Sequence, residues 1–171
     1  MAEGPELITN GTFESNINGW SQSGATSWVW TGSGVIGDGK NAYLNVTDFM
    51  LFVGPRIYQD FSVPETGQYR IRFDWRSELY GGIDGSTNTD IVIDPITLVH
   101  AEMSGGSPDV AAGSYDQLKT LSAGTRRIDF HIFGTPAFDA SYWRCWWDNV
   151  SVKQIVPDPV VGPDKTTYRY G

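Results

Sequence analysis

Cysteine is nearly absent: Cys145 is the only one in 171 residues, so no intrachain disulfide can staple the fold. Histidine is almost as scarce. His100 and His131 stand far apart in the chain, and each falls within a strand-like pattern, where a surface or hydrogen-bonded role is expected. No Gly-x-Ser-x-Gly elbow, phosphate loop or zinc-ligand spacing is present. The twenty acidic residues leave paired-carboxylate chemistry open in principle, yet no motif points to a reaction, and a non-enzyme is expected. Basic residues are also few, 12 Lys and Arg against 20 Asp and Glu for a formal charge of -8. Phosphate backbones would be repelled by that surplus, and one adjacent pair, Arg126-Arg127, is too small a basic stripe to reverse it. No nucleic-acid partner is expected. No apolar run approaches the roughly 18 residues of a membrane span. The opening Met1-Ala2-Glu3-Gly4-Pro5-Glu6 lacks the basic and apolar regions of an export signal.

Aromatic residues and glycine are plentiful: 7 Trp, 8 Tyr, 8 Phe and 20 Gly. Gly and Pro interrupt the chain too often for long helices, and no sustained 3.6-residue apolar period appears. Alternation by two is clear instead. From Gln68 to Arg76, Tyr69, Ile71, Phe73 and Trp75 share one face, and Arg70, Arg72 and Asp74 the other. Thr125 to Phe133 repeats the pattern, with Ile128, Phe130 and Ile132 set against Arg127, Asp129 and His131. Shorter candidates are 6–9, 27–31, 41–47, 56–63, 90–93, 96–102, 115–121 and 146–155. Around ten such strands with polar outer faces predict an all-β fold, an antiparallel two-sheet β-sandwich or jelly roll. Three stretches rich in small and polar residues, 78–88, 103–113 and 134–141, are expected to be loops. Residues 1–155 form the expected domain. In 156–171, Pro157, Pro159 and Pro163 break any regular ladder, so an extended tail is expected, suited to gripping a neighbouring subunit.

Several segments together carry a resemblance. The chain has Leu7-Ile8-Thr9-Asn10-Gly11-Thr12-Phe13-Glu14 with Gly19-Trp20 soon after, then Gly39-Lys40-Asn41-Ala42-Tyr43-Leu44. Ile57-Tyr58-Gln59-Asp60-Phe61-Ser62-Val63 and Gly67-Gln68-Tyr69 follow, and Trp146-Trp147-Asp148-Asn149-Val150-Ser151-Val152 closes the set. In this order, over residues 6–155, they resemble the jelly-roll carbohydrate-binding modules found beside xylanases and glucanases, and similar modules in phage structural proteins.

The resemblance implies one structural Ca2+, held by the carbonyls of Thr12 and Lys40 and the carboxylates of Glu14 and Asp148. Two carboxylates among hard oxygen donors suit calcium; the plainer alternative is that Glu14 caps a turn and Asp148 accepts backbone hydrogen bonds. Asp84 to Asp90 does not fit a calcium loop and reads as a solvated turn. The resemblance also implies sugar binding by rings stacked on pyranose faces. Candidate rings are Trp28, Trp30, Tyr43, Tyr80 and Trp143, with Trp75 assigned to the core by its strand partners. Trp143 and Tyr80 sit at loop edges and are the expected exposed pair, whereas Trp28 and Trp30, two apart, should share one face. Tyr142 to Trp147 holds too many rings for one buried face, so at least one should look outward.

The function expected from these features is a non-catalytic interaction module, a structural or decoration subunit on the capsid or tail surface of a phage virion. It would form homo-oligomers, dock on virion proteins such as the major capsid protein through the tail, and touch cell-surface glycans. The alternative is a carbohydrate-binding module of a secreted polysaccharide-degrading enzyme.

Overall fold

The computed structural model describes residues 2–24, 28–46, 54–81, 87–103, 106–134 and 142–157. Eleven strands and no helix occur among these residues. They are β1 (Ala2–Glu6), β2 (Ser21–Ser23), β3 (Val29–Thr31), β4 (Asn41–Val46), β5 (Arg56–Val63), β6 (Gly67–Gly81), β7 (Thr87–Ile93), β8 (Ile96–Met103), β9 (Gly106–Leu121), β10 (Gly124–Gly134) and β11 (Tyr142–Val156). One sheet runs β3-β4-β11-β6-β9, with β1 added beside β11 as its sixth member; the other runs β2-β5-β10-β7-β8. Every strand pair is antiparallel. The chain is an all-β two-sheet sandwich, as its alternation predicts.

Alternation places the core. On β6, Tyr69, Ile71, Phe73 and Trp75 are buried, and on β10 so are Ile128, Phe130 and Ile132. These two central strands supply the inner faces that meet. Trp147 lies at the middle, its ring 4.9 Å from Trp20, 5.2 Å from Phe130 and 6.4 Å from Phe73 between centroids. Burying each such ring stabilises the fold by about 2–3 kcal/mol.

β11 buries both halves of its length because a bulge changes its parity. Trp143, Cys145 and Trp147 face inward before the bulge, and Val150 and Val152 after it. The register with β6 slips between Asp148 and Ser151, where Asn149 takes a left-handed φ of 54°. An extra residue in one strand is what such a switch requires.

Two expected loops are largely strand. β6 continues to Gly81 with β7 starting at Thr87, and β9 occupies most of the stretch assigned to the 103–113 loop. The physical reason is position: β9 ends its sheet, so it needs no run of large apolar residues, and its small and polar side chains imitate a loop. At the N-terminus the strand is Ala2–Glu6, earlier than the expected 6–9. The expected acidic turn is in part β7, from Thr87 onward, while 84–86 lie outside the described residues. Outside them too are 135–141 and tail residues 158–171.

Candidate functional site

The structure redistributes the predicted rings. Trp143 is fully buried, its indole donating to Ser77 Oγ at 2.7 Å. It does not sit at a loop edge, because β11 begins at Tyr142 and holds Trp143 between Val46 of β4 and Leu79 of β6. Trp28 is buried as well, edge-on to Phe130 at 5.1 Å. It precedes β3 instead of lying within it, so the two-residue spacing does not put it beside Trp30. Trp30 is 39% exposed, with its indole donating to the Phe13 carbonyl at 2.6 Å. Trp75 is core, as its strand partners predict.

Tyr43 and Tyr80 stay half-buried on the outer face of the six-stranded sheet. Tyr43 leans on Trp146 at 5.3 Å and Tyr80 on Tyr142 at 4.3 Å, with the Arg144 guanidinium 4.0 Å above the Tyr142 ring. The crowded run is thus divided by alternation: Trp143, Cys145 and Trp147 face in, and Tyr142, Arg144 and Trp146 face out. Tyr142 is the half-buried outward ring, while Trp146 is 6% exposed with Tyr43 at its side.

A second outer face, unmarked by the sequence reading, belongs to the five-stranded sheet. A groove of about 460 Å³ crosses β5, β10 and β7. Antiparallel register sets the side chains of this face in rows: Arg56, His131, Asp90 and His100 lie side by side across β5, β10, β7 and β8. The next row holds Tyr58, Asp129, Val92 and Thr97. Arg127 forks onto Asp60 at 2.7 and 2.9 Å and lies 4.0 Å over the Tyr58 ring. Arg56 meets Asp129 at 2.8 Å, and His100 Nδ1 meets Asp90 at 2.6 Å.

Burial tunes the groove. The Asp129 carboxyl is pushed up to about 6 by desolvation, against the pull of Arg56 and Arg127. His131 is pulled down to about 4 by desolvation and then by the Arg56 charge. His100 moves the other way, raised by its bond to Asp90. One Asp129 oxygen, Oδ1, and the Arg56 Nε are buried without a hydrogen-bond partner. Both atoms are closed to solvent, so the polar surface offered to a ligand is the rest of the lining, which includes the part-exposed side chains of Arg56, Asp60 and Arg127. The Tyr58 ring, half-buried on the same face, lies beside the groove under the Arg127 guanidinium. Alternation at 125–133 gave the polar set Arg127, Asp129 and His131; what it could not give was the neighbouring strands that complete the rows.

The four residues implied for calcium lie on the opposite sheet's rim. Asp148 is 1% exposed, and one of its oxygens accepts from the Asn149 amide at 2.7 Å. Its carboxyl is pushed up to about 7, chiefly by burial and further by Asp38, Asp74 and Glu14. Gly37 passes so close that a Cβ there would stand 2.2 Å from Asp148 Oδ2. Glu14 and Asp38 share the Lys40 ammonium at 2.5 and 3.2 Å. Among the described residues no three acidic, His or Cys side chains converge on one point. The oxygen chemistry fits a hard cation, since Asp148 is a crowded carboxylate that positive charge would relieve; Glu14 would have to exchange Lys40 for the ion.

No family model matches the sequence, and no curated protein matches it. Solved structures do. One is a carbohydrate-binding module specific for non-crystalline cellulose, 13% identical, with 89% of this chain and 97% of that chain covered at a TM-score of 0.51. The fold is that of a jelly-roll carbohydrate-binding module. The module is also similar to the tailspike protein 4 enzymatically active domain of bacteriophage CBA120, at 17% identity and a TM-score of 0.52. That match covers 88% of this chain and 21% of the other, so the module spans about a fifth of the tailspike chain. A cleaved adhesin domain of Lys-gingipain from Porphyromonas gingivalis W83 is 13% identical, with 85% and 96% covered and a TM-score of 0.50. At these identities the likeness is one of fold.

Proposed function

We propose that the chain is a non-catalytic binding module that lays a neutral glycan across the groove of the five-stranded sheet, displayed on a phage virion surface. The observation carrying the glycan reading is the groove of about 460 Å³ lined by the part-exposed Arg56, Asp60 and Arg127, with the half-buried Tyr58 ring beside it. A pyranose offers the matching pair, an apolar face and a rim of hydroxyls that both donate and accept. The paired charges on the floor favour a neutral sugar over an anionic one, since Arg56 and Arg127 already face Asp129 and Asp60. Support for the virion setting is the tailspike likeness. A second reading, a module of a secreted polysaccharide-degrading enzyme, is supported by the near-complete coverage of the cellulose-specific module.

The test is retention on insoluble plant polysaccharides and on bacterial surface polysaccharide. Binding to either, lost in Tyr58→Ala with the fold intact, is expected. Preference for the bacterial material favours the virion setting, and preference for plant material the enzyme setting. Retention on neither sinks the glycan reading.

Calcium at Thr12, Glu14, Lys40 and Asp148 is part of the same proposal, as a structural ion remote from the groove. Chelator should lower the melting temperature, because an ion bound at a hundred times its Kd stabilises the folded form by about 2.7 kcal/mol. Asp148→Asn should remove that sensitivity. An unchanged melting curve in chelator would retire the site.

A further inference from the structure

The two ion pairs of the groove differ in build. Arg127 and Asp60 are both open to water, their side chains 41% and 47% exposed. Arg56 is as open at 41%, but Asp129, 2.8 Å from it, is only 7% exposed. A ligand at Arg127 therefore meets cation and anion together. At Arg56 it meets the guanidinium, with the balancing carboxylate closed off from it.

Among the described residues no other carboxylate pairs with Arg56. Asp60, four residues along β5, is held by the Arg127 fork. Asp90 stands two strands away in the Arg56 row, about 10 Å off. It is held by His100 at 2.6 Å, whose other nitrogen lies 3.5 Å from Glu102. The Asp94 amide donates to the Arg127 carbonyl, four residues along β10 from the His131 that faces Arg56, about 13 Å away. His131 itself is uncharged near neutral pH, since desolvation pulls it down to about 4. Asp129 has Arg127 and His131 on either side along β10, and Tyr58 and Val92 across from it. Four aspartates and three arginines line the groove, one negative charge in surplus with His131 neutral. Removing the charge of Asp129 balances the groove as a whole and leaves Arg56 without its counter-ion.

A guanidinium freed of one carboxylate presents the planar fork of donors that fits another. Among sugars the matching group is that of a uronic acid, whose ring and hydroxyls are otherwise those of a neutral pyranose. We infer that Asp129 sets the charge selectivity of the groove. Ionised, it occupies Arg56 and restricts the groove to neutral sugars; neutral, it releases Arg56 to a uronic acid. Mild acid is enough to make the change. Burial holds the Asp129 carboxyl up at about 6 against the pull of Arg56 and Arg127, whereas a sugar carboxylate, at about 3.5, stays ionised. Uronate binding and Asp129 protonation then favour each other by the same factor. This inference rests on the groove being the glycan site.

The test uses two probes that differ only at C6, methyl glucoside and methyl glucuronide, titrated into the full chain and followed by chemical shifts at Arg56 and Tyr58. In the wild type the glucuronide-to-glucoside affinity ratio should rise about tenfold or more between near pH 7.5 and near pH 5. Asp129→Asn should show the raised ratio already near pH 7.5 and hold it through acidification. Adding Arg56→Gln to that variant should abolish the gain, with circular dichroism unaltered. A wild-type ratio that ignores pH overturns the inference, and this arm needs no variant to fold. So does Asp129→Asn with the wild-type ratio, or one that still gains on acidification, which would move the switch to His100. Failure of the glycan reading is separate: retention on no polysaccharide, with the Asp129→Asn gain present, removes that reading and leaves the role of Asp129 standing.

Discussion

The two outer faces of this sandwich solve the same problem with different chemistry. On the six-stranded sheet, rings shelter one another: Tyr43 with Trp146, Tyr80 with Tyr142, and Arg144 over the latter. On the five-stranded sheet, charges shelter one another in register, Arg56 with Asp129 and Arg127 with Asp60. The first face packs ring against ring, yet it too leaves one buried polar atom, Arg144 Nε, without a partner. The second leaves Asp129 Oδ1 and Arg56 Nε unmet. The faces differ in what they offer a ligand: rings packed on one another on the first, and a groove lined by part-exposed charged side chains on the second.

The largest expected effect separates inside from outside on β11, the strand richest in rings. Trp143→Ala should destabilise the fold by about 3–5 kcal/mol, and its neighbour Tyr142→Ala by less than about 1 kcal/mol, by urea denaturation. Similar losses at the two positions would break the assignment of opposite faces.

Next comes the contrast between faces. Tyr58→Ala should weaken glycan retention about tenfold or more, and Tyr80→Ala leave it within about twofold. The reverse order would move the site to the aromatic face.

The smallest effect sharpens the charged face through pH. Asp129 titrates at about 6 in the fold, above an ordinary 3.8, so its contribution to stability is full below 3.8 and lost as pH rises through 6. His131 titrates at about 4, below an ordinary 6.5, so its contribution is present above 6.5 and lost as pH falls through 4. Between those limits the two oppose each other. Asp129→Asn should expose the histidine alone, giving a stability that falls on acidification more steeply than wild type, by about 1.4 kcal/mol per pH unit at most. His131→Asn should do the opposite. Urea midpoints near pH 7 and near pH 4.5 decide it; parallel wild-type and variant profiles would mean that neither group is tuned by burial.

Much of the sandwich was legible in the sequence because alternation by two is a local signal. Tyr69 to Trp75 and Ile128 to Ile132 declared both core strands. The edge strand β9 was hidden, since an edge half-open to water needs no large side chains. Trp143 was misplaced for a related reason: a ring beside a stretch of small and polar residues looks exposed until the strand is known to start at Tyr142, four residues before the expected Trp146. The groove was least legible. Arg56, Asp129, Asp90 and His100 come from four strands, and only the register between them makes one row.

The most direct measurement is a chemical-shift map of the bound glycan's footprint. Shifts centred on Tyr58, Asp129 and His131, with Tyr43, Tyr80 and Tyr142 unmoved, are what a glycan in the groove of the five-stranded sheet predicts. A footprint on Tyr43, Trp146 and Tyr142, with the Asp129 row silent, would contradict it.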